Sequence, residues 1–401
     1  MKITSEYTLE DLRELVAHKQ CEDFEPYAYV RFSNEAITLK ACLESLVPFF
    51  SKGIICYHEP LPGIKADSSL EIAQEFVARN PGFRLVKYPF GVVYHGLEGF
   101  FDYLYKGISK YWLLHAYSQY ALLHLEELAR ENDDLSKAWI FKVDCDHVFS
   151  QKLLEYTKLY CQLKYKELGT NYAFFYKMNV RKDVRKEGIG AYNKFILADI
   201  ANGYDHVVVK LDQTAPFQMF VRPHRGGSEE ENRKKTQVYE LQRFAKTAKS
   251  LGEKTFLNSI HFDFEKLYFY QKLEEEKVKD RFVNGVPYEE IDWQKMVKQI
   301  PEAKIDPEFF TYENVKKIFM SFNYPQSKAE GELYGRDAID FATFFHDPKY
   351  RPENIIQEHN KVWHAREQIT DPEALKALER EHRVLCKLTE EGYLPEIGYF
   401  S

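Results

Sequence analysis

The stretch Ala138-Trp139-Ile140-Phe141-Lys142-Val143-Asp144-Cys145-Asp146-His147-Val148-Phe149 sets the reading of the whole chain. It opens as a short run rich in apolar, β-branched and aromatic residues, too brief for a helix, which reads as a buried strand. It then breaks into two aspartates one residue apart. In an open α/β sheet, the carboxyl ends of the strands face the crevice where ligands bind. A strand period of two would point Asp144 and Asp146 to the same side. Two hard carboxylates on one side suit Mg²⁺ or Mn²⁺, and such an ion would hold diphosphate oxygens. A bare Asp-x-Asp also arises as a polar turn closing a strand, so the surrounding chain has to support the reading.

Upstream, Thr8-Leu9-Glu10-Asp11 has capping-box spacing and starts a leading helix. Tyr27–Phe32 reads as a strand that breaks at Ser33-Asn34, either of which can cap the helix carrying Ala36, Leu39, Leu43, Leu46 and Val47. Gly53–Tyr57 is a second strand, a helix runs from Ser68 or Ser69 to about Arg79, and Arg84–Tyr88 is a third strand. This β-α-β-α-β alternation belongs to a parallel sheet with helices on its faces. Pro89–Lys110 reads as a loop over the crevice, and a helix to about Arg130 leads into the Asp144/Asp146 strand. A helix over 150–167 follows, then strands at Tyr172–Val180, His206–Leu211 and Phe217–Val221. From Gln237 onward the pattern reads as mainly helical, with Asp371-Pro372 as a strong helix start. The expected class is α/β: a Rossmann-like, mostly parallel sheet with flanking helices, plus a mainly helical C-terminal region. The expected division is a leading helix (1–25), a catalytic unit (26–270) and a helical extension (271–401).

Composition narrows the function classes. The 401 residues carry a net charge of −7, which argues against a general nucleic-acid binder. Six scattered cysteines form no Cys-x-x-Cys pair, so neither a zinc site nor a disulfide framework is indicated, and a reducing cytoplasm fits. Met1-Lys2 leads into polar sequence, so no signal peptide is expected, and no run approaches a membrane span. Two basic clusters, Lys177–Lys186 and Arg222–Lys235, read either as solvated faces or as contacts to an anionic acceptor or the anionic inner leaflet.

Three stretches together resemble one bacterial family. They are Tyr29-Val30-Arg31-Phe32-Ser33-Asn34-Glu35-Ala36-Ile37-Thr38-Leu39-Lys40 with Leu43-Glu44-Ser45, then Ile140–His147, then Asn258-Ser259-Ile260-His261. The family is the β-1,4-N-acetylgalactosaminyltransferases of lipooligosaccharide outer cores, glycosyltransferase family 82. The likeness runs over roughly residues 25–322. It implies a GT-A type fold, a UDP-sugar donor, a divalent metal (Mn²⁺ or Mg²⁺) and inverting transfer to a glycan acceptor. It also implies a cytoplasmic enzyme, with possible contact to the inner membrane. The chain departs from the pattern after the second strand, where His58-Glu59 stands in place of Asn-Asp.

Under that reading Asp144 and Asp146 are metal candidates, with direct coordination safer for Asp146. His261 either completes the metal shell or is a packed, hydrogen-bonded histidine. Arg31, Asn34 and Glu35, at the first strand-to-helix junction, are candidates for nucleotide contact, as are Lys142 and Asp144. Asn34 could equally be a helix cap, and Glu35 a first-turn acid. Glu59 is placed to accept from the uracil or ribose, or lies in a surface turn. A base must deprotonate the acceptor hydroxyl. Asp199, Asp205 and Asp212 qualify by position, and Asp212 is preferred because a loop follows a strand there. Two other readings compete. A sugar-phosphate nucleotidyltransferase lacks support because Phe32-Ser33-Asn34-Glu35 contains no glycine, and a non-catalytic glycan-binding module is opposed by the intact Asp-x-Asp.

Overall fold

The computed structural model describes residues 7–93, 109–182, 195–222, 226–252, 256–262, 286–287, 301–323 and 340–395. Most of the loop expected over Pro89–Lys110, the basic residues Arg185, Lys186 and Arg225, and the expected boundary near 270 lie outside them.

Helix α1 (Leu9–His18) opens on the expected capping box: Thr8 Oγ1 accepts from the Asp11 N–H while the Asp11 carboxylate accepts from the Thr8 N–H. The alternation then follows as β1 (Glu25–Phe32), α2 (Leu39–Leu46), β2 (Lys52–Tyr57), α3 (Ser69–Arg79) and β3 (Phe83–Lys87). Strand β2 lies between β1 and β3, parallel to both. Gly53 permits this packing, because a Cβ there would stand 2.6 Å from the Ala28 carbonyl oxygen and 2.9 Å from the Phe83 ring. After α4 (Leu114–Glu131), β4 (Ala138–Asp144) adds on the other side of β1, again parallel. The strand order therefore reverses at β1/β4, the position at which open α/β sheets bind ligands beyond the carboxyl ends.

The rest of the sheet is antiparallel or mixed. It uses β5 (His147–Phe149), α5 (Gln151–Leu168), β6 (Tyr172–Lys182), β7 (Phe195–Lys210) and β10 (Phe256–Phe262), giving the order β3-β2-β1-β4-β7-β6-β10-β5. Between β7 and β10, β8 (Thr214–Arg222), the short α6 (Glu229–Lys235) and β9 (Gln237–Phe244) form a separate two-stranded hairpin. A two-residue strand, β11 (Val286–Pro287), pairs with β7.

Three expectations are corrected here. The helix expected to start at Ser33-Asn34 begins only after Thr38; Asn34 has a φ of 51° and turns the chain instead of capping it. The strand expected at His206–Leu211 is the end of the much longer β7. The chain is not mainly helical from Gln237, because β9 and β10 come first. Within β10, Leu257–Phe262 are all buried, so the alternation that marks a one-sided strand is missing. Helices dominate only later, as α7 (Tyr312–Met320), α8 (Phe341–His346), α9 (Pro352–His364) and α10 (Pro372–Glu390).

Apolar side chains fill both faces of the sheet. One core joins α1, α2, α3 and α5 through residues such as Leu12, Leu43, Phe76 and Leu154, with Phe24 stacked on Trp139. The other is built on α4, which is buried along most of its length, and takes in Phe344, Ile356, Leu385 and Leu388 from the C-terminal helices. Helix α10 starts as its sequence indicates, with Asp371 accepting from the Glu373 N–H and Pro372 in the first turn.

Candidate active site

Strand β4 stops at Asp144, and the chain turns through Cys145-Asp146 before β5. Side-chain alternation therefore does not run through the acidic pair. Two contacts fix the turn: the Cys145 thiol donates to the Arg31 carbonyl (3.0 Å), and the Phe262 N–H donates to the Asp146 carbonyl (2.8 Å). The turn starts β5 antiparallel to β10, with His147 opposite His261 in register. Their imidazoles stack at 4.4 Å between centroids.

Asp146 lies against both rings. Its Oδ2 is 3.3 Å from His261 Nε2, and its Oδ1 is 3.7 Å from His147 Nε2. The opposite ring nitrogens are already engaged: His261 Nδ1 donates to Asn179 Oδ1 at 2.6 Å, and His147 Nδ1 meets Ser259 Oγ at 2.9 Å. With Nδ1 carrying the proton, each Nε2 offers a lone pair, the usual arrangement in metal-binding histidines. Burial and the neighbouring His206 and His261 push the His147 imidazolium well below its ordinary pKa, so the ring is neutral. His147 Nε2 is buried and makes no hydrogen bond. One ligand atom from each of Asp146, His147 and His261 falls within 4.8 Å of the others, and all three residues are buried. Two imidazoles and a carboxylate fit a divalent ion. This mixture suits Mn²⁺ better than Mg²⁺, which prefers oxygen ligands alone.

Asp144 stands beside this cluster in a second set of charges. Its Oδ2 is 3.5 Å from His206 Nε2, and the His206 ring lies tilted against His147 with 4.0 Å between centroids. Arg31, its register partner on β1, reaches to within 3.9 Å. Burial alone would raise the Asp144 carboxyl, but Lys142, His206 and Arg31 hold it well below the usual carboxylate range. Arg31 in turn grips Glu240 of β9 with both guanidinium arms, and Lys142 Nζ meets the same carboxylate at 3.0 Å. Ser118 of α4 donates to Glu240 at 2.9 Å. Against the cost of burial, Arg31 and Lys142 hold Glu240 ionised, with its pKa pulled down to about 2.

The remaining candidates separate. Asn34 and Glu35 lie in a crevice loop stitched to the 65–69 segment. Asn34 Nδ2 donates to the Lys65 carbonyl (2.9 Å), Asn34 Oδ1 accepts from the Asp67 N–H, and the Glu35 N–H donates to Ser69 Oγ. Glu59 is exposed and pairs with Lys87 and Lys349 at the mouth of a cavity away from the cluster. The structure does not bring Asp212 to the cluster. Lys210 pairs with Trp139, at the start of β4, so Asp212 lies beyond the opposite end of that strand, roughly 16 Å along it from Asp144. There Asp212 pairs with Lys210 at 2.8 Å. Asp199 stands opposite Asn179 in register, and Asp205 adjoins His206, so both lie on the strand that passes the cluster.

Sequence reasoning missed His147, His206, Asn179, Ser259 and Glu240. His147 lies within the deciding stretch and Ser259 within the third matched one, so both were visible without an assigned role. Glu240 carries no local signal. Only the hairpin brings it in, held by the Phe217 N–H donating to Gln119 Oε1 and by the Phe217 ring stacked on Tyr29.

No helix among the described residues is long and apolar enough to cross a membrane. No curated protein matches the chain. A family model described as β-1,4-N-acetylgalactosaminyltransferase (CgtA) matches residues 16–323, a span that contains β1, the acidic turn, Glu240 and His261 but ends before α8. The chain therefore belongs to the CgtA family of β-1,4-N-acetylgalactosaminyltransferases and is a glycosyltransferase.

Proposed function

We propose that the chain is a metal-dependent inverting transferase, moving N-acetylgalactosamine from a UDP-sugar to a hydroxyl of a bacterial surface glycan such as lipooligosaccharide. The observation that carries this is the buried convergence of Asp146, His147 and His261 beside the carboxyl ends of β1 and β4. Those three residues would hold the cation, Mn²⁺ in preference to Mg²⁺. When bound, it supplies positive charge that stabilises the departing diphosphate.

The chain's own residues do the rest. Arg31 and Lys142 place two fixed cations next to Asp144, and Glu240 sets their positions before any ligand arrives. The Asn34–Glu35 loop, tied to Asp67 and Ser69, forms the rim on the nucleotide side. Asp199 and Asp205 on β7 are the proposed sources of the base that takes the acceptor proton; Asp212 is too far along the sheet for that role. Inverting displacement needs a single attack on the face opposite the leaving group, so this base belongs on the acceptor side. The acceptor's lipid anchor would bring the enzyme to the cytoplasmic face of the inner membrane.

The test is hydrolysis of UDP-N-acetylgalactosamine by purified protein with added Mn²⁺, without acceptor. Asp146→Asn and His261→Ala should each lower the rate at least 100-fold while leaving the circular dichroism spectrum unchanged. Undiminished turnover in excess chelator would sink the proposal.

A further inference from the structure

A cavity of about 430 Å³ opens at the carboxyl end of the sheet. It lies beyond β2 and β3. Arg31, Cys56 and Val86 are in register across β1, β2 and β3, and the cavity is lined by Lys87, the last residue of β3, and by Glu59, just past the end of β2. Two strand spacings put it roughly 10 Å from the β1 end of the crevice. Its other wall is Lys349, Tyr350, Asn354, Ile355 and Glu358, which lie outside the family match at 16–323.

The volume lies within the range of small-ligand sites. Phe90 and Tyr350 give it ring faces, while the Asn354 amide and the Glu59 and Glu358 carboxylates offer hydrogen-bonding groups suited to hydroxyls. Two carboxylates, Glu59 and Glu358, balance two ammonium groups, Lys87 and Lys349. Glu59 is neutralised by both lysines, and Glu358 pairs with Lys361. Such a rim does not match a polyanion, which a diphosphate site has to attract. It matches an uncharged polyhydroxylated ring.

We infer that this cavity, closed by the C-terminal region, is a subsite for a neutral sugar of the acceptor glycan, remote from the sugar that receives the transfer. This rests on the transferase reading above. In it, Glu59 serves the acceptor and not the uracil or ribose. The part of the acceptor that is recognised here is then set by residues 349–358, which the family match does not include.

The experiment is saturation-transfer NMR on the full chain, with methyl β-D-galactopyranoside and lactose as probes. It is run alongside Mn²⁺-dependent hydrolysis of UDP-N-acetylgalactosamine. Ile355→Trp fills the cavity; Lys349→Ala with Glu358→Gln alters only its exposed rim, and so guards against a folding defect. Both variants should bind the better probe at least fivefold more weakly, with hydrolysis within twofold of the unmodified chain. The inference is overturned if neither sugar binds the unmodified chain, or if both variants bind it undiminished. It is also overturned if UDP affinity falls as far as sugar affinity, since the cavity would then belong to the nucleotide. Cavity-dependent sugar binding in a chain that lacks metal-dependent hydrolysis supports the sugar subsite and removes the metal-dependent mechanism proposed above.

Discussion

His261 faces Asp146 with Nε2 because Asn179 already accepts the proton on Nδ1, and Ser259 engages the matching atom of His147. Outer partners of this kind fix ring tautomer and direction, and their loss typically costs metal affinity about 10- to 100-fold. Asn179→Ala and Ser259→Ala should therefore weaken Mn²⁺ binding by about that factor in calorimetry, with little change in secondary structure. Glu240 is a different case. It is the carboxylate shared by two cations that have almost no contact with water, Arg31 and Lys142. Removing one partner of a buried charge set leaves the others uncompensated, a loss of roughly 3–5 kcal/mol. Glu240→Ala should lower the urea midpoint accordingly, and a stability equal to that of the unmodified chain would show that the network is solvated. Arg31 and Asp144 could be read from the sequence because they stand at or next to the ends of short apolar runs. Glu240 could not, since nothing near it in the chain marks it.

At the level of elements, the Ala138–Phe149 stretch shows where periodicity misleads. Read as one strand, it puts both aspartates on the same side. In the fold it is two strands joined by a turn, so Asp144 keeps to the Arg31 network and Asp146 joins the histidines. Local signals were more dependable at helix ends. Thr8 and Asp371 both cap as their spacing indicates, whereas Asn34 is drawn into a turn by its bonds to Lys65 and Asp67. The close approach of β1 and β2 gives an element-scale prediction. Gly53→Ala would press a methyl group against backbone at Ala28, which cannot yield without disturbing the sheet pairing. Overpacking of this kind costs about 1–3 kcal/mol or more. Thermal unfolding should show a clear drop, and an unchanged midpoint would mean that the two strands separate at that point.

Across the whole molecule, burial of neutral histidines makes the fold acid-sensitive. Burial pushes His58 and His115 down to about 4, helped by Arg31 and Lys110 respectively. In the unfolded chain such rings take up protons below about 6.5, while the folded ones stay neutral, so stability falls as pH drops from about 6.5 to 4. Glu240 acts in a lower window: its folded pKa of about 2 stabilises the protein above about 4.5 and is lost as pH falls from there toward 2. Urea midpoints should therefore be highest at neutral pH and decline through pH 5, and His115→Phe should flatten part of that decline. A midpoint independent of pH between 7 and 4 would contradict the burial of these rings. The C-terminal helices share in this packing: α10 lies on α4 through Leu385 and Leu388, and Tyr393 donates to the Phe217 carbonyl at the base of the hairpin.

The sequence by itself determined the alternating β-α-β start, the caps of α1 and α10, the acidic pair at the end of a buried strand and the family. Each of these is written in residues that are close together in the chain, where spacing and propensity act directly. Only the tertiary structure decided that His147 and His261 face each other, that Glu240 holds Arg31, that Asp212 lies at the wrong end of β4, and that residues 349–358 wall a cavity with Glu59. Those relations depend on strand register and hairpin placement. They come from the burial of whole faces and the pairing of distant backbone, and no local run of side chains encodes them.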